Sequence, residues 1–144
     1  MKQASKVLSF FVFPIIIFVL HSISLRILNL YAIFPNLDIP FHYFGGLSIA
    51  YASALMVSYM EKERLIPIQN KVISFVLILS VTATVAVFWE FAEFLGDTFL
   101  NMNLQGSIAN TMQDQFLGIL GGLTWAVIYS RRPRSNVSYP RGNK

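Results

Sequence analysis

The sequence predicts an all-α integral membrane bundle of four transmembrane helices with both termini cytoplasmic. Three observations predict it. The 144-residue chain is 55% hydrophobic and only 12% charged, about half the charged share usual for a soluble domain. Four long stretches contain no Asp, Glu, Lys or Arg. Ten of the eleven lysines and arginines fall on one side of the membrane that those stretches define. The apolar bulk excludes a disordered chain and an ordinary soluble enzyme domain, and the lack of cysteine excludes a disulfide scaffold.

Each span follows from length. A bilayer core of about 30 Å needs roughly 20 apolar residues as a helix. Val7 to Leu25 gives nineteen uncharged residues, Ile39 to Met60 twenty-two, Val72 to Trp89 eighteen and Gln115 to Ser130 sixteen. All four are apolar all round, as lipid demands. The helices are therefore expected at about 7–28, 41–60, 72–96 and 112–130, forming one domain over 1–130. Pro14 falls inside the first, where neighbouring helices can compensate it. That span also has the outline of a signal peptide: Lys2 and Lys6, an apolar run, then Ser22-Ile23-Ser24 as a small-x-small site. The run continues through Leu25-Arg26-Ile27-Leu28, so an uncleaved helix is the expectation.

Lysine and arginine mark the cytoplasmic side. Lys2, Lys6, Lys62, Arg64, Lys71, Arg131, Arg132, Arg134, Arg141 and Lys144 fall there, and Arg26 alone falls outside. This predicts an inner, cytoplasmic-membrane protein. The tail 131–144 reads as a basic, disordered anchor on lipid headgroups rather than a nucleic-acid arm, so the expected partner is the bilayer, with no nucleic acid. The sequon Asn136-Val137-Ser138 would lie on the wrong side for glycosylation.

The acids segregate oppositely. Glu61 and Glu63 share the cytoplasmic loop with Lys62 and Arg64, whereas Asp38, Glu90, Glu93, Asp97 and Asp114 fall on the outer side. Glu90, Glu93 and Asp97 stand at i, i+3 and i+7, and their face continues inward as Ala86, Ala83, Thr82 and Leu79. Asp38 and His42 are i, i+4, followed by Gly46, Ala50 and Ala54. Asp114 leads into Gly118, Gly121 and Gly122. Small stripes are where membrane helices pack closely, and Gly118-x-x-x-Gly122 also offers a face for a homo-oligomer. Packing on these stripes would gather a polar site from Asp38, His42, Glu90, Glu93, Asp97, Asn110 and Asp114.

A carboxylate deep in a helix costs roughly 2.5–3.5 kcal/mol on insertion scales, so Glu90 and Glu93 are not expected to face lipid. Crowded carboxylates call for protons or a counter-ion. One divalent cation held by Glu90, Glu93, His42 and Asp114 would supply it, with no choice among Mg²⁺, Mn²⁺, Ca²⁺, Zn²⁺ and Fe²⁺. Several of these residues also have structural readings. Asp38 before Ile39-Pro40 can be an N-cap, Asp114 can favour a helix dipole with Thr111 as cap, Asp97 can be an interfacial loop acid, His42 can be a hydrogen-bonded packing residue, and His21 reads as a packing residue. The outer loop 96–113 is rich in amides and carries Phe99, Leu100, Met102 and Leu104, so it can fold back as a lid. No phosphate loop, HExxH or G-x-S-x-G is present, and Glu90-x-x-Glu93 lacks the histidine of a di-iron motif.

Asp38-x-x-x-His42-Tyr-Phe-Gly45-Gly46, then Trp89-Glu90-Phe91-Ala92-Glu93-Phe94 with Asp97, then Asn110-Thr111-Met112-Gln113-Asp114 with Gly118 and Gly121-Gly122, resembles the YjdF-like family of small multi-pass inner-membrane proteins. A looser likeness in helix layout is to VanZ-like proteins, associated with glycopeptide resistance. The resemblance covers roughly residues 30–125 and departs at Asn110, where it implies Asp. It implies a site but no particular reaction. Three functions remain open: an outward-facing polar site binding a cation or envelope component, a metal-dependent membrane enzyme acting on a lipid headgroup or lipid-linked precursor, and an ion-coupled transporter working as an oligomer. The apolar inner halves, such as Val72 to Leu79 and Leu123 to Ile128, count against transport.

Overall fold

The computed structural model describes residues 2–65 and 70–132. Among these the chain is helical and has no strand: α1 (Lys2–Ser9), α2 (Val12–Arg26), α3 (Leu30–Ile33), α4 (Asp38–Lys62), α5 (Lys71–Leu100) and α6 (Ile108–Arg131), with a 3-10 turn at Pro35–Leu37 before α4. Of the tail expected over 131–144, residues 133–144 and the sequon lie outside the described residues.

The first expected span, 7–28, is broken into α1 and α2 at Phe10–Phe11. Pro14 explains the position. It has no N–H for the carbonyl four residues back, and its ring clashes with that carbonyl, which belongs to Phe10. The chain turns there through Phe10 N–H to Val7 O and Phe11 N–H to Leu8 O, both 3.1 Å, and resumes with Ile15 N–H to Phe11 O at 2.9 Å.

The other helices run longer than expected. Asn70 caps α5, its Oδ1 accepting from Val72 N at 2.8 Å, and Ser107 caps α6 by accepting from Asn110 N at 3.2 Å. The cap of α6 is therefore Ser107, four residues before Thr111. At the other end of α5, Asn101 adopts the left-handed conformation, which asparagine tolerates and which stops the helix. The 96–113 loop shrinks to 101–107.

The buried faces are the small-residue stripes. They are Gly46, Ser48, Ala50, Ala52, Ala54 and Val57 on α4, Ser74, Ile78, Thr82, Glu90 and Gly96 on α5, and Asp114, Gly118, Gly121, Gly122 and Ala126 on α6. Large apolar side chains face outward instead, including Phe88, Phe91, Phe94 and Phe116. That is the reverse of a water-soluble fold. One described helix, α5, is long and apolar enough to cross a membrane, and Val12–Leu25 is a shorter apolar segment. Helices α4 and α6 carry the glycines, hydroxyls and amides that let them pack, which dilutes their apolar character.

Helix α6 packs against both α4 and α5, and α4 also packs against α5 and α2. Its contacts are backbone-close. A side chain at Gly46 would strike the Gly118 backbone, one at Gly121 would strike the Tyr43 carbonyl, and one at Gly122 would strike Thr82. Gly118 and Gly122, expected as a packing stripe and also as a possible oligomer face, are occupied within the chain: those glycines are what admit α4 and α5. An apolar core of Ala50, Ala54, Val57, Ile78 and Ala126 fills the half of the bundle near Lys62, Lys71 and Arg131. The acids gather at the opposite end.

Candidate functional site

At that opposite end, α4 begins with Asp38. Asp38 does not serve as an N-cap. The preceding 3-10 turn runs straight into α4, and the N-cap position is Leu37 with no side-chain cap bond. The carboxylate is left to turn toward His42, one helical turn on. His42 Nε2 lies 3.2 Å from Asp38 Oδ1 and 3.9 Å from Asp114 Oδ1, while Nδ1 lies 4.0 Å from Glu90 Oε1. One imidazole from α4 thus stands among three carboxylates from α4, α5 and α6.

Asp114 reaches the centre because α6 starts at Ile108. It sits in the second turn rather than the first, on the buried line that continues as Gly118 and Gly121. Glu90 reaches it because Ser74, Ile78, Thr82, Ala86 and Glu90 recur every four residues along the packed face of α5. Glu90 is 4% exposed and Asp114 3%. Both oxygens of Glu90 and Oδ1 of Asp114 are buried without a hydrogen-bond partner. Buried polar atoms are ordinarily satisfied, and a buried charge without a partner is costly.

Asp38 and Asn110 also meet. Asn110 Nδ2 donates to Asp38 Oδ2 at 3.4 Å, and the Tyr31 hydroxyl donates to Asp38 Oδ1 at 3.4 Å. Burial first, then the Asp38 carboxylate, push the Tyr31 phenol above its ordinary value, keeping it a donor.

Two expected members face elsewhere. Glu93 is one step of three residues from Glu90, about 60° around the helix. Its Oε1 accepts from Trp89 Nε1 at 2.7 Å, on its own helix, and it lines a second cavity with His21 and Ser22. Asp97 lies on nearly the same meridian as Glu90 but about 10 Å further along the axis. There it organises the 101–107 loop, its carboxylate accepting from Leu104 N at 2.6 Å and Gln105 N at 2.8 Å. Met102 and Leu104 fold back against Gly96, so the loop does lie on the bundle.

His21, expected as a packing residue, packs among the rings beside the site. Its ring centroid is 5.3 Å from that of Phe41, 5.6 Å from Trp89, 5.8 Å from Tyr31 and 6.4 Å from His42. No acidic partner stands near it in sequence, so no local signal could have found it. Only the packing of α2 on α4 brings it to the site.

Asp38, His42 and Asp114 each offer one ligand atom, all within 4.8 Å of one another. Tetrahedral ligands about 2.1 Å from an ion stand roughly 3.5 Å apart, so small side-chain movements would close the set. This differs from the expected quartet of Glu90, Glu93, His42 and Asp114: Asp38 enters, and Glu90 and Glu93 leave. Glu90 stands behind His42, on the Nδ1 side, where a metal-bound histidine usually finds its carboxylate.

No curated protein and no solved structure matches the chain. A family model described as "Predicted membrane protein (DUF2238)" matches residues 4–135, which span every element of this site, and the YjdF-like resemblance names the same family. The chain belongs to the DUF2238 family of predicted membrane proteins.

Proposed function

We propose that this protein is a four-span membrane protein whose outer end binds one divalent cation through Asp38, His42 and Asp114. The observation that carries the cation is the group of buried, unpartnered oxygens on Glu90 and Asp114 around a single imidazole. A divalent ion on the Nε2 side of His42 would satisfy Asp114 Oδ1 directly and would bear on Glu90 only through the imidazole. His42 Nε2, which faces both aspartates, would be the ligand atom. Its Nδ1–H would point at Glu90, which fixes ring orientation and raises ligand basicity. One imidazole with two carboxylates favours Zn²⁺, Mn²⁺ or Fe²⁺ over Mg²⁺ and Ca²⁺, which prefer all-oxygen shells.

Membership of a membrane family supports the four-span reading, as do the helix lengths. Helices of 24, 25 and 30 residues extend roughly 36, 37 and 45 Å, each enough for a core of about 30 Å. The fourth span would be α1 and α2 together. Lys62, Arg64, Lys71, Arg131 and Arg132 share one end of the bundle, which by the positive-inside bias would be cytoplasmic, with both termini. The cation site would then face outward. The looser VanZ-like likeness adds no support to this assignment.

Metal content of detergent-purified protein, measured by mass spectrometry, tests the reading. Wild type should carry about one transition metal per chain, and Asp114→Asn should lower affinity by more than about 100-fold. A folded wild type that takes up no divalent metal on reconstitution would sink it.

A further inference from the structure

A cavity of about 300 Å³ runs alongside the proposed cation site. Its walls come from α2 (Pro14, Ile17, Phe18), α4 (Gly45, Ile49) and α5 (Val85), and it extends along α2 from Phe11 to His21. Those ten residue steps rise roughly 15 Å. The mean cross-section is therefore roughly 20 Å², the width of one extended hydrocarbon chain and far below that of a helix about 10 Å across. The volume holds roughly ten groups of water or methylene size. The walls are apolar for most of this length. At one end the cavity reaches His42 and Asp114, two of the three candidate ligands.

From this geometry we infer that the cavity takes one acyl chain of a phospholipid, with the lipid phosphate completing the coordination of the cation. The inference rests on the cation reading above. Two aspartates and a neutral histidine balance a divalent ion and leave it a coordination position, the arrangement in which metals take substrate oxygens. An anionic phosphate oxygen suits that position. Ile15, Phe18 and Val85 line the cavity and are 55%, 52% and 37% exposed, so its side wall meets whatever surrounds the bundle. For a chain immersed in lipid, that is a route for a tail to enter sideways. A helix of a second copy is too wide to fill it.

Gly45 provides a clean test. A Cβ built there meets nothing within 4 Å, so the side chain of Gly45→Leu starts into open space beside the cavity, and the substitution places a strong helix former in α4. Val85→Trp closes it from α5 and keeps the test intact should one variant fold poorly. Zinc-loaded protein in detergent would be titrated with dioleoylphosphatidylglycerol and, separately, dioleoylglycerol, with native mass spectrometry counting adducts. Wild type should bind one phosphatidylglycerol about tenfold more tightly than the diacylglycerol, and chelation of zinc should erase that difference. Both variants should lose about tenfold in affinity for either lipid and keep their zinc. Zinc retained with lipid binding unaffected by either variant would overturn the inference and leave the cation site standing. Equal binding of the two lipids would overturn the phosphate contact, and a chain dimer lost in Gly45→Leu would assign the groove to a second copy instead. No zinc in the folded wild type would overturn both readings together.

Discussion

The same three helices behave differently at their two ends. At the basic end, α4, α5 and α6 meet through Ala50, Ala54, Val57, Ile78 and Ala126, with Phe75, Trp125 and Tyr129 packed around them. Most hydroxyls near this half have partners, and the one buried polar atom among its described residues that has none is the uncharged Trp125 Nε1. Tyr43 donates to Thr124 Oγ1 at 3.1 Å, Ser58 and Tyr129 share a hydrogen bond of 3.0 Å, and Thr82 donates to Ile78 O at 2.9 Å. At the acidic end the helices are as closely packed, yet Glu90 and Asp114 bury oxygens that nothing satisfies. Packing with satisfied polar groups is what a stable bundle needs. Packing around unsatisfied carboxylates is what a ligand site needs, because the ligand supplies the missing partner.

That contrast can be broken most severely at the junction of the two halves. Gly46→Leu would drive a side chain into the Gly118 backbone, which cannot yield as a flexible side chain could. The expected loss is about 3 kcal/mol or more, seen as a sharp fall in folded yield and in thermal unfolding temperature in detergent. Retention of wild-type stability would mean that α4 and α6 do not approach as described.

Glu90→Gln sharpens the contrast instead. It removes a buried charge while keeping the shape of the side chain. Metal-free protein should hold or gain stability, by about 1–2 kcal/mol, while metal affinity falls about 10- to 100-fold. A large loss of stability in metal-free protein would show that Glu90 is part of the scaffold.

Asp97→Asn should act on the 101–107 loop alone. Replacing a charged acceptor of two backbone N–H groups should cost about 1–2 kcal/mol, with faster hydrogen exchange over 101–107 and unchanged metal content. Loss of metal would return Asp97 to the site. The smallest effect is expected for a single hydroxyl pair away from the acids. Tyr43→Phe removes a single bond to Thr124, which keeps its bond to Leu120 O at 2.9 Å, and should lower stability by about 1 kcal/mol.

Much of this was legible in the residues themselves. Asp38 and His42 pair at i, i+4, and that spacing is enough to put them on one face. The stripes through Gly46, Ala50 and Ala54 and through Gly118, Gly121 and Gly122 marked the packed faces, because only small side chains let two helix backbones approach. Glu90 declared itself through the cost of exposing a carboxylate to lipid. The helix break was also written locally: Pro14, which a membrane helix can tolerate as an internal break, dictates the fault at Phe10.

Other features depended on quantities that one-dimensional spacing does not contain. Glu93 and Asp97 share a broad face with Glu90, but a turn of about 60° sends one to Trp89 and a rise of about 10 Å sends the other to the loop. His21 belongs to a helix with no acid in reach, so its place beside His42 follows only from how α2 packs on α4. Likewise Gly118 and Gly122 advertise a close contact without naming the partner, and α4 and α5 prove to be that partner. Local spacing sets which residues share a helix face. Which faces meet, at what height and around what cavity, is decided by the packing of whole helices, and that is where the three carboxylates and one histidine become a site.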